Sequence, residues 1–249
     1  MTIYRRPDPL PLPRERPKDP RFKHLAEVQL EAENLDHLVA REIFLAILSG
    51  AFPAESVLPN ELELAQRLNV SRTALREGIK GLVSKGVVDA RRKRGTLVLE
   101  PASWNMLDRD LITWQRRAGS TRRVSDSLWE AIQVTLPALA AMASMRRDFG
   151  GTNAAAAAFE ASATPQRPLA FAQYCSAIAG AGGNQFLRSL IESSLRSLLN
   201  DDVQYLARQT SHITSADIRR MSSVLAGGTA GEVTSAFNAL LSERSFESR

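Results

Sequence analysis

Two short amphipathic segments joined by a three-residue turn restrict the fold of the first hundred residues more than any other feature. In "NELELAQRLNVSRTALREGIKGLVSKG" (60–86), Asn60 precedes a segment whose apolar positions are Leu62, Leu64, Ala65 and Leu68. Glu63 stands at the capping-box spacing from Asn60, where each side chain can answer a backbone N–H of the first helical turn. "LNV" turns the chain, Ser71 is suited to cap a second helix over about 72–85, and Gly86 stops it. Upstream, Leu35, Leu38, Val39, Ile43, Leu45, Ala46 and Ile47 recur at mostly helical spacing and end at Gly50. The Pro-punctuated "AFPAESVLP" reads as a connector. "VVDARRKRGTLVLE" reads as two short strands around a basic turn, a β-hairpin.

Three helices and a hairpin in this order predict a winged helix-turn-helix over residues 34–100. In that layout the second helix of the pair enters the major groove of DNA by its N-terminal end. Ser71, Arg72, Thr73 and Arg76 fall on the outward face of that end, and Ala74, Leu75, Ile79 and Leu82 fall inward. Arg72 can present its fork to guanine O6 and N7, Thr73 can touch a base edge or phosphate, and Arg76 can reach a base or the backbone. In the hairpin turn Arg91, Arg92, Lys93 and Arg94 adjoin with no acid between them, where a wing would meet phosphates. Gly95 beside them allows close backbone approach. The plain alternative for each cation is a solvated helix face or loop, but turn, cap, wing and charge agree on DNA.

Charge and composition support a DNA-binding protein without demanding one. Residues 34–99 carry ten Lys/Arg against seven Asp/Glu, whereas residues 100–249 carry fifteen against fourteen. The single cysteine, Cys175, excludes an intrachain disulfide framework and fits a reducing compartment. No run of about eighteen apolar residues is present and the N-terminus lacks a signal-like apolar core, so a soluble cytoplasmic protein is expected, with no membrane partner. Residues 1–33 form a Pro/Arg-rich tail with prolines at 7, 9, 11 and 13, and are expected to be disordered.

Beyond Glu100 every periodic segment is helical, so the fold class is mainly α, with a small hairpin wing at the front and an all-α bundle behind. Residues 101–121 read as a linker helix and 122–249 as the bundle, with helices near 104–118, 122–147, 153–162, 168–181, 185–209, 216–227 and 230–243. Thr214 with Asp217 and Thr229 with Glu232 have capping-box spacing, and Pro137 should kink its helix. No nucleophile elbow, phosphate-cradling glycine loop or HExxH motif occurs, and "GAGGN" (180–184) follows no strand. The chain is therefore not expected to be an enzyme, and no cofactor is expected.

Residues 58–98, with their "VSR", "LRE" and "RGTLV", closely resemble the DNA-binding domain of GntR-family transcription regulators. The helical part is similar to the ligand-sensing FCD domain of the FadR subfamily. "SWNMLDRDLITW" (103–114) looks like the linker-helix signature of a branch that includes galactonate- and other sugar-acid-responsive repressors. The resemblance implies a homodimeric repressor on a short palindromic operator of double-stranded DNA, released or reshaped when a small organic acid binds the bundle. It carries DNA contacts over to Arg72, Thr73, Arg76 and Gly95. Leu62 departs from it, standing where the family often has a DNA-contacting arginine.

Larger departures lie in the bundle. The family commonly holds a divalent metal through an Asp and three His, and the matching positions here are Phe171, Cys175, Asp217 and Leu240. Its carboxylate-gripping Arg and a nearby Glu fall on Ile132 and Leu136. Phe and Leu cannot ligate a hard cation, and Cys175 with Asp217 are too few, so no metal is expected. These six residues outline a candidate ligand cavity, apolar apart from one thiol and one acid. Two readings stay open: a more apolar or uncharged effector, or a domain that mainly dimerises and no longer senses. An architectural DNA binder with little sequence preference and steep salt dependence is the other alternative; two arginines at a helix start favour sequence reading. Cys175 is read as a packing residue, with redox sensing as its alternative.

Overall fold

The computed structural model describes residues 35–91, 94–147 and 149–242, so the tail expected over 1–33 lies outside the described residues. The chain divides into two compact units, 1–104 and 105–249. The first contains α1 (Leu35–Leu48), α2 (Glu61–Leu68), α3 (Arg72–Ser84), β1 (Val88–Arg91) and β2 (Gly95–Val98). Val39, Ile43 and Phe44 from α1, Leu64 from α2, Leu75 and Leu82 from α3, and Val98 from β2 are completely buried together with Val87. Burying such side chains, at about 1.5–3 kcal/mol each, is what holds three short helices that would not be stable alone.

Close approach of α1 to α3 depends on a missing side chain. A Cβ on Gly78 would lie 2.8 Å from Val39 Cγ1, whereas one on Gly81 would only reach Ala40 at 4.0 Å. Gly86 ends α3 as its position suggests. Its φ is +71°, and a Cβ there would lie 2.3 Å from the backbone oxygen of Ser103. Trp104 closes the unit, its indole N–H donating to Leu99 O at 3.1 Å and its ring set edge-on to Phe44 at 5.2 Å.

The segment read as a connector is more than that. Leu58 N donates to Thr96 O at 2.8 Å, Val98 N to Ser56 O at 2.9 Å, and Glu55 N to Val98 O at 2.9 Å, with Val57 bridging Leu97. The hairpin β1–β2, in register Val88↔Val98 to Arg91↔Gly95, thus gains a third lane along β2. Pro53 and Pro59 bracket that lane. Neither proline interrupts it, since the donors it uses belong to Glu55 and Leu58.

Among the described residues the second unit has helices and no strand: α4 (Arg109–Gln115), a π-helical turn (Arg116–Ser120), α5 (Thr121–Arg146), α6 (Gly150–Ala161), α7 (Arg167–Gly182), α8 (Gln185–Asp201), α9 (Val203–Gln209), α10 (Ser215–Gly227) and α11 (Ala230–Ser242). The stretch Arg109–Arg146 is long and apolar enough to cross a membrane by length and composition, but 56% of its most apolar window is buried inside the bundle. Its apolarity is accounted for as core. α5 packs against α7 closely enough that a Cβ on Gly182 would meet Leu139 O at 2.8 Å.

Two expected helices needed correction. The linker helix does not start at 104: it starts at Arg109, because Asp108 caps it, accepting from Asp110 N at 3.0 Å and Leu111 N at 3.1 Å. The helix expected over 185–209 breaks at Asp202, whose φ of −156° and ψ of 55° leave the helical region while its carboxylate caps α9 through Tyr205 N at 3.2 Å. A short acidic side chain that bonds the backbone ahead of it competes with helix continuation. Asp202 also accepts from Ser125 at 2.8 Å, and Ser125 from the buried Arg116 at 2.8 Å, tying the π-turn to the α8–α9 break. Burial pulls the Arg116 guanidinium below its ordinary pKa, with Asp201 and Asp202 acting against the shift.

Gly86→Ala should destabilise the protein by more than about 1 kcal/mol, from a left-handed φ and a backbone clash. Gly81→Ala should be neutral or stabilise by up to about 1 kcal/mol, because α3 has room there and alanine favours helix. Urea unfolding of the two variants beside the wild type checks both signs.

Candidate nucleic-acid interface

The start of α3 is held in place by the turn before it. Asn69 adopts a left-handed conformation (φ 56°, ψ 42°) and its N–H turns back to the carbonyls of Ala65 and Gln66. Val70 N donates to Ala65 O at 3.0 Å. Ser71 then lies extended, and its Oγ accepts from Ala74 N at 3.1 Å. Leu75, Ile79 and Leu82 point into the core, which leaves Arg72, Thr73 and Arg76 exposed. The first-turn amides of Arg72 and Thr73 have no intrahelical acceptor, as at any helix start. No acid lies in the first turn. An arginine here opposes the positive end of the helix dipole, an arrangement that an external anion relieves.

Arg76 has a partner that the sequence did not reveal. Its Nε donates to Glu61 Oε2 at 2.7 Å, tying the start of α2 to the second turn of α3. Both side chains are largely exposed, at 63% and 45%, so the pair is worth about 0–1 kcal/mol and leaves Arg76 exchangeable. Arg72 has no hydrogen-bond or ion-pair partner among the described residues. Leu62, beside Glu61, is 46% exposed. Asn60 caps α2 through Glu63 N at 3.0 Å, and Glu63 is drawn also to Arg67.

The hairpin turn contributes Arg91, Arg94 and Gly95; Arg92 and Lys93 lie outside the described residues. Arg94 N closes the turn on Arg91 O at 3.1 Å. Both arginine side chains are exposed, Arg91 pairing with Asp89 at 2.6 Å. Gly95 is needed for the fold itself: φ is +82°, and a Cβ would lie 2.8 Å from Val57 Cγ1.

The candidate cavity residues sit differently from an open pocket. Ile132, Leu136, Phe171, Cys175 and Leu240 all belong to the main apolar cluster of the bundle, the first four fully buried. Burial pushes the Cys175 thiol far above its ordinary pKa, so it stays protonated. Asp217 is outside that cluster. It completes a capping box with Thr214, whose N–H donates to its carboxylate at 2.9 Å. The Thr229–Glu232 box forms in the same way. Among the described residues no group of three or more His, Cys, Asp or Glu could hold a metal ion.

Comparison with known proteins bears on this geometry. Residues 36–98 match the family model "Bacterial regulatory proteins, gntR family". An uncharacterized HTH-type transcriptional regulator of Escherichia coli, YieP, is 39% identical over 103 residues, covering 41% of this chain and 45% of its own length. The galactonate operon transcriptional repressor of Escherichia coli is 31% identical over 100 residues, 40% of this chain and 44% of that protein. The match thus spans less than half of either relative. A solved structure of Lar, which controls expression of the Listeria monocytogenes agr system, covers 86% of this chain and 95% of its own at 17% identity and a TM-score of 0.50, a likeness of fold. The exposed, capped helix start and its hairpin are those of a winged helix-turn-helix. Residues 36–98 are the part of the chain that is similar to the gntR family of bacterial regulatory proteins. Family and relatives alike are regulators, not enzymes.

The Asp217 carboxyl is held below its ordinary pKa, first by the Thr214 hydroxyl and then by the Thr214 N–H. A lowered folded-state value makes its contribution present above about pH 4 and lost as pH falls through that value. Asp217→Ala should therefore cost about 0.5–1 kcal/mol at neutral pH, with the gap to wild type closing in acid. Thermal melts over a pH series measure this.

Proposed function

We propose that the chain is a transcription regulator that reads a specific DNA sequence, a repressor acting as a homodimer on a palindromic operator in the cytoplasm. The observation that carries the reading is the start of α3: a capped helix presenting Arg72, Thr73 and Arg76 outward, with no acid in its first turn. Arg72 reads a base edge, Thr73 a base edge or phosphate, and Ser71 a phosphate. Arg76 leaves Glu61 for the DNA, and the wing cations meet phosphates beside Gly95. Leu62 offers an apolar contact where the resembling family has a charged one, which alters base preference rather than abolishing binding.

On this reading residues 101–121 link the DNA-binding domain, 34–100, to a FadR-type FCD bundle, 122–249, that dimerises and senses a metabolite. A second reading, a bundle that dimerises without sensing, is favoured by the burial of Ile132, Leu136, Phe171, Cys175 and Leu240 in one apolar cluster.

An operator recovered from a random duplex library gives the test. Arg72→Ala should weaken operator binding by about 1–3 kcal/mol and change binding to random duplex little. Equal losses on both would remove the base-reading role. Replacing Arg91 and Arg94 by Gln should weaken binding to all duplexes. It should also reduce the slope of log K against log salt by roughly one for each phosphate that is no longer neutralised. Titrations at several salt concentrations read the slope, and an unchanged one would remove the wing from the interface.

A further inference from the structure

Helices α4 and α8 enclose a cleft of about 260 Å³, lined from α4 by Arg109 and Ile112 and from α8 by Ser189, Ser193, Arg196 and Asp201. Its charges are unevenly matched. Glu192 on the same wall is taken by Arg188 at 2.7 Å. Asp201 accepts from Ser197 at 3.1 Å and stands 4.0 Å from Arg116 Nε, while Asp202 stands 3.7 Å from Arg116 Nη1. Arg109 and Arg196 have no hydrogen-bond or ion-pair partner among the described residues. The cleft wall thus sets Arg109 and Arg196 beside Glu192 and Asp201; both acids already have partners, and neither arginine has one among the described residues.

Two further observations point to a ligand. One helical turn beyond Ile112, the Arg116 side chain is only 6% exposed, and its Nε and Nη2 have no hydrogen-bond partner. A buried cation with unanswered donors is costly, and negative charge brought into the neighbouring cleft relieves it. In addition, Ser189, Ser193 and Ser197 follow one another at four-residue spacing and all line the cleft, so they set hydroxyls along one face of α8 beside Arg196.

We propose that the α4–α8 cleft binds a small hydroxylated organic anion. Its charged head, a carboxylate or a phosphate ester, is taken by Arg109 and Arg196, and its hydroxyls by Ser189 and Ser193. This gives the sensing reading above a location outside the apolar interior, and its regulatory consequence rests on that reading. Arg109 opens α4, five residues past the end of the DNA-binding unit at Trp104, so a ligand bridging α4 to α8 restrains the first helix to leave that unit.

The test is calorimetric titration of the full chain with glycerate, gluconate and glycerol 3-phosphate, with glycerol and acetate as counterparts lacking the charge or the hydroxyls. Wild type should bind at least one of the three hydroxylated anions, bind acetate roughly tenfold or more weakly, and not bind glycerol. Glycerol 3-phosphate binding in preference to the two carboxylates would identify the head group as phosphate. Arg109→Gln with Arg196→Gln should weaken binding roughly tenfold or more and leave the unliganded melting temperature unchanged, because both side chains are exposed. Ser193→Leu, which fills the cleft and keeps both arginines, should also abolish binding. Equal binding by wild type and both variants, or no binding of any hydroxylated anion by wild type, overturns the proposal. Operator binding of the unliganded protein, measured in parallel, is independent: its absence tells against the regulator and not against the cleft.

Discussion

Three residues between α2 and α3 govern the aim of everything the first unit presents to solvent. The left-handed backbone at Asn69, the return of its N–H to Ala65 and Gln66, and the Ser71 cap together set where α3 begins. Asparagine tolerates that conformation far better than most residues, and serine supplies a cap without bulk. With the start fixed, Leu75 and Leu82 enter the core, and one helical turn of period places Arg72, Thr73 and Arg76 outside it. The core is small, so the caps and close glycine contacts matter in proportion. Gly78 lets α1 and α3 approach, and Gly95 lets the hairpin turn settle on Val57.

The charges on this surface are held loosely. Arg76 with Glu61 and Arg91 with Asp89 are exposed pairs, each stabilising by no more than about 1 kcal/mol. A phosphate or a guanine edge offers a guanidinium at least as much. Such pairs hold the arginines in defined positions without committing them, which suits the DNA-reading role proposed for this surface.

In the bundle, the interior around Phe171 and Cys175 is mostly hydrocarbon, with a protonated thiol and the buried polar tips of Trp129 and Tyr174 among it. Several polar interactions gather at the junctions of helices: Arg116, Ser125 and Asp202 at the π-turn, Asp108 at the start of α4, Thr214 and Asp217 at the start of α10. A core of that kind resists opening. The concave, charged face between α4 and α8 presents two arginines, Arg109 and Arg196, without partners among the described residues.

Local chemistry makes much of this readable in one dimension. Asn60, Ser71, Thr214 and Thr229 announce helix starts because a side chain bonds the backbone two or three residues away, and Gly86 announces a stop because only glycine readily takes its φ. The short apolar runs on either side of the basic turn announce the hairpin, since their pairing is local too. Tertiary structure decided what depends on residues distant in sequence. The connector became a third lane because its free N–H groups found β2, and Arg76 met Glu61 fifteen residues away. Asp202 broke a helix whose periodicity ran on unbroken, since it answers to Ser125 on another helix as well as to its own backbone. Caps and turns are encoded within a few residues and so belong to the sequence, whereas pairings across tens of residues exist only once packing has brought the helices together.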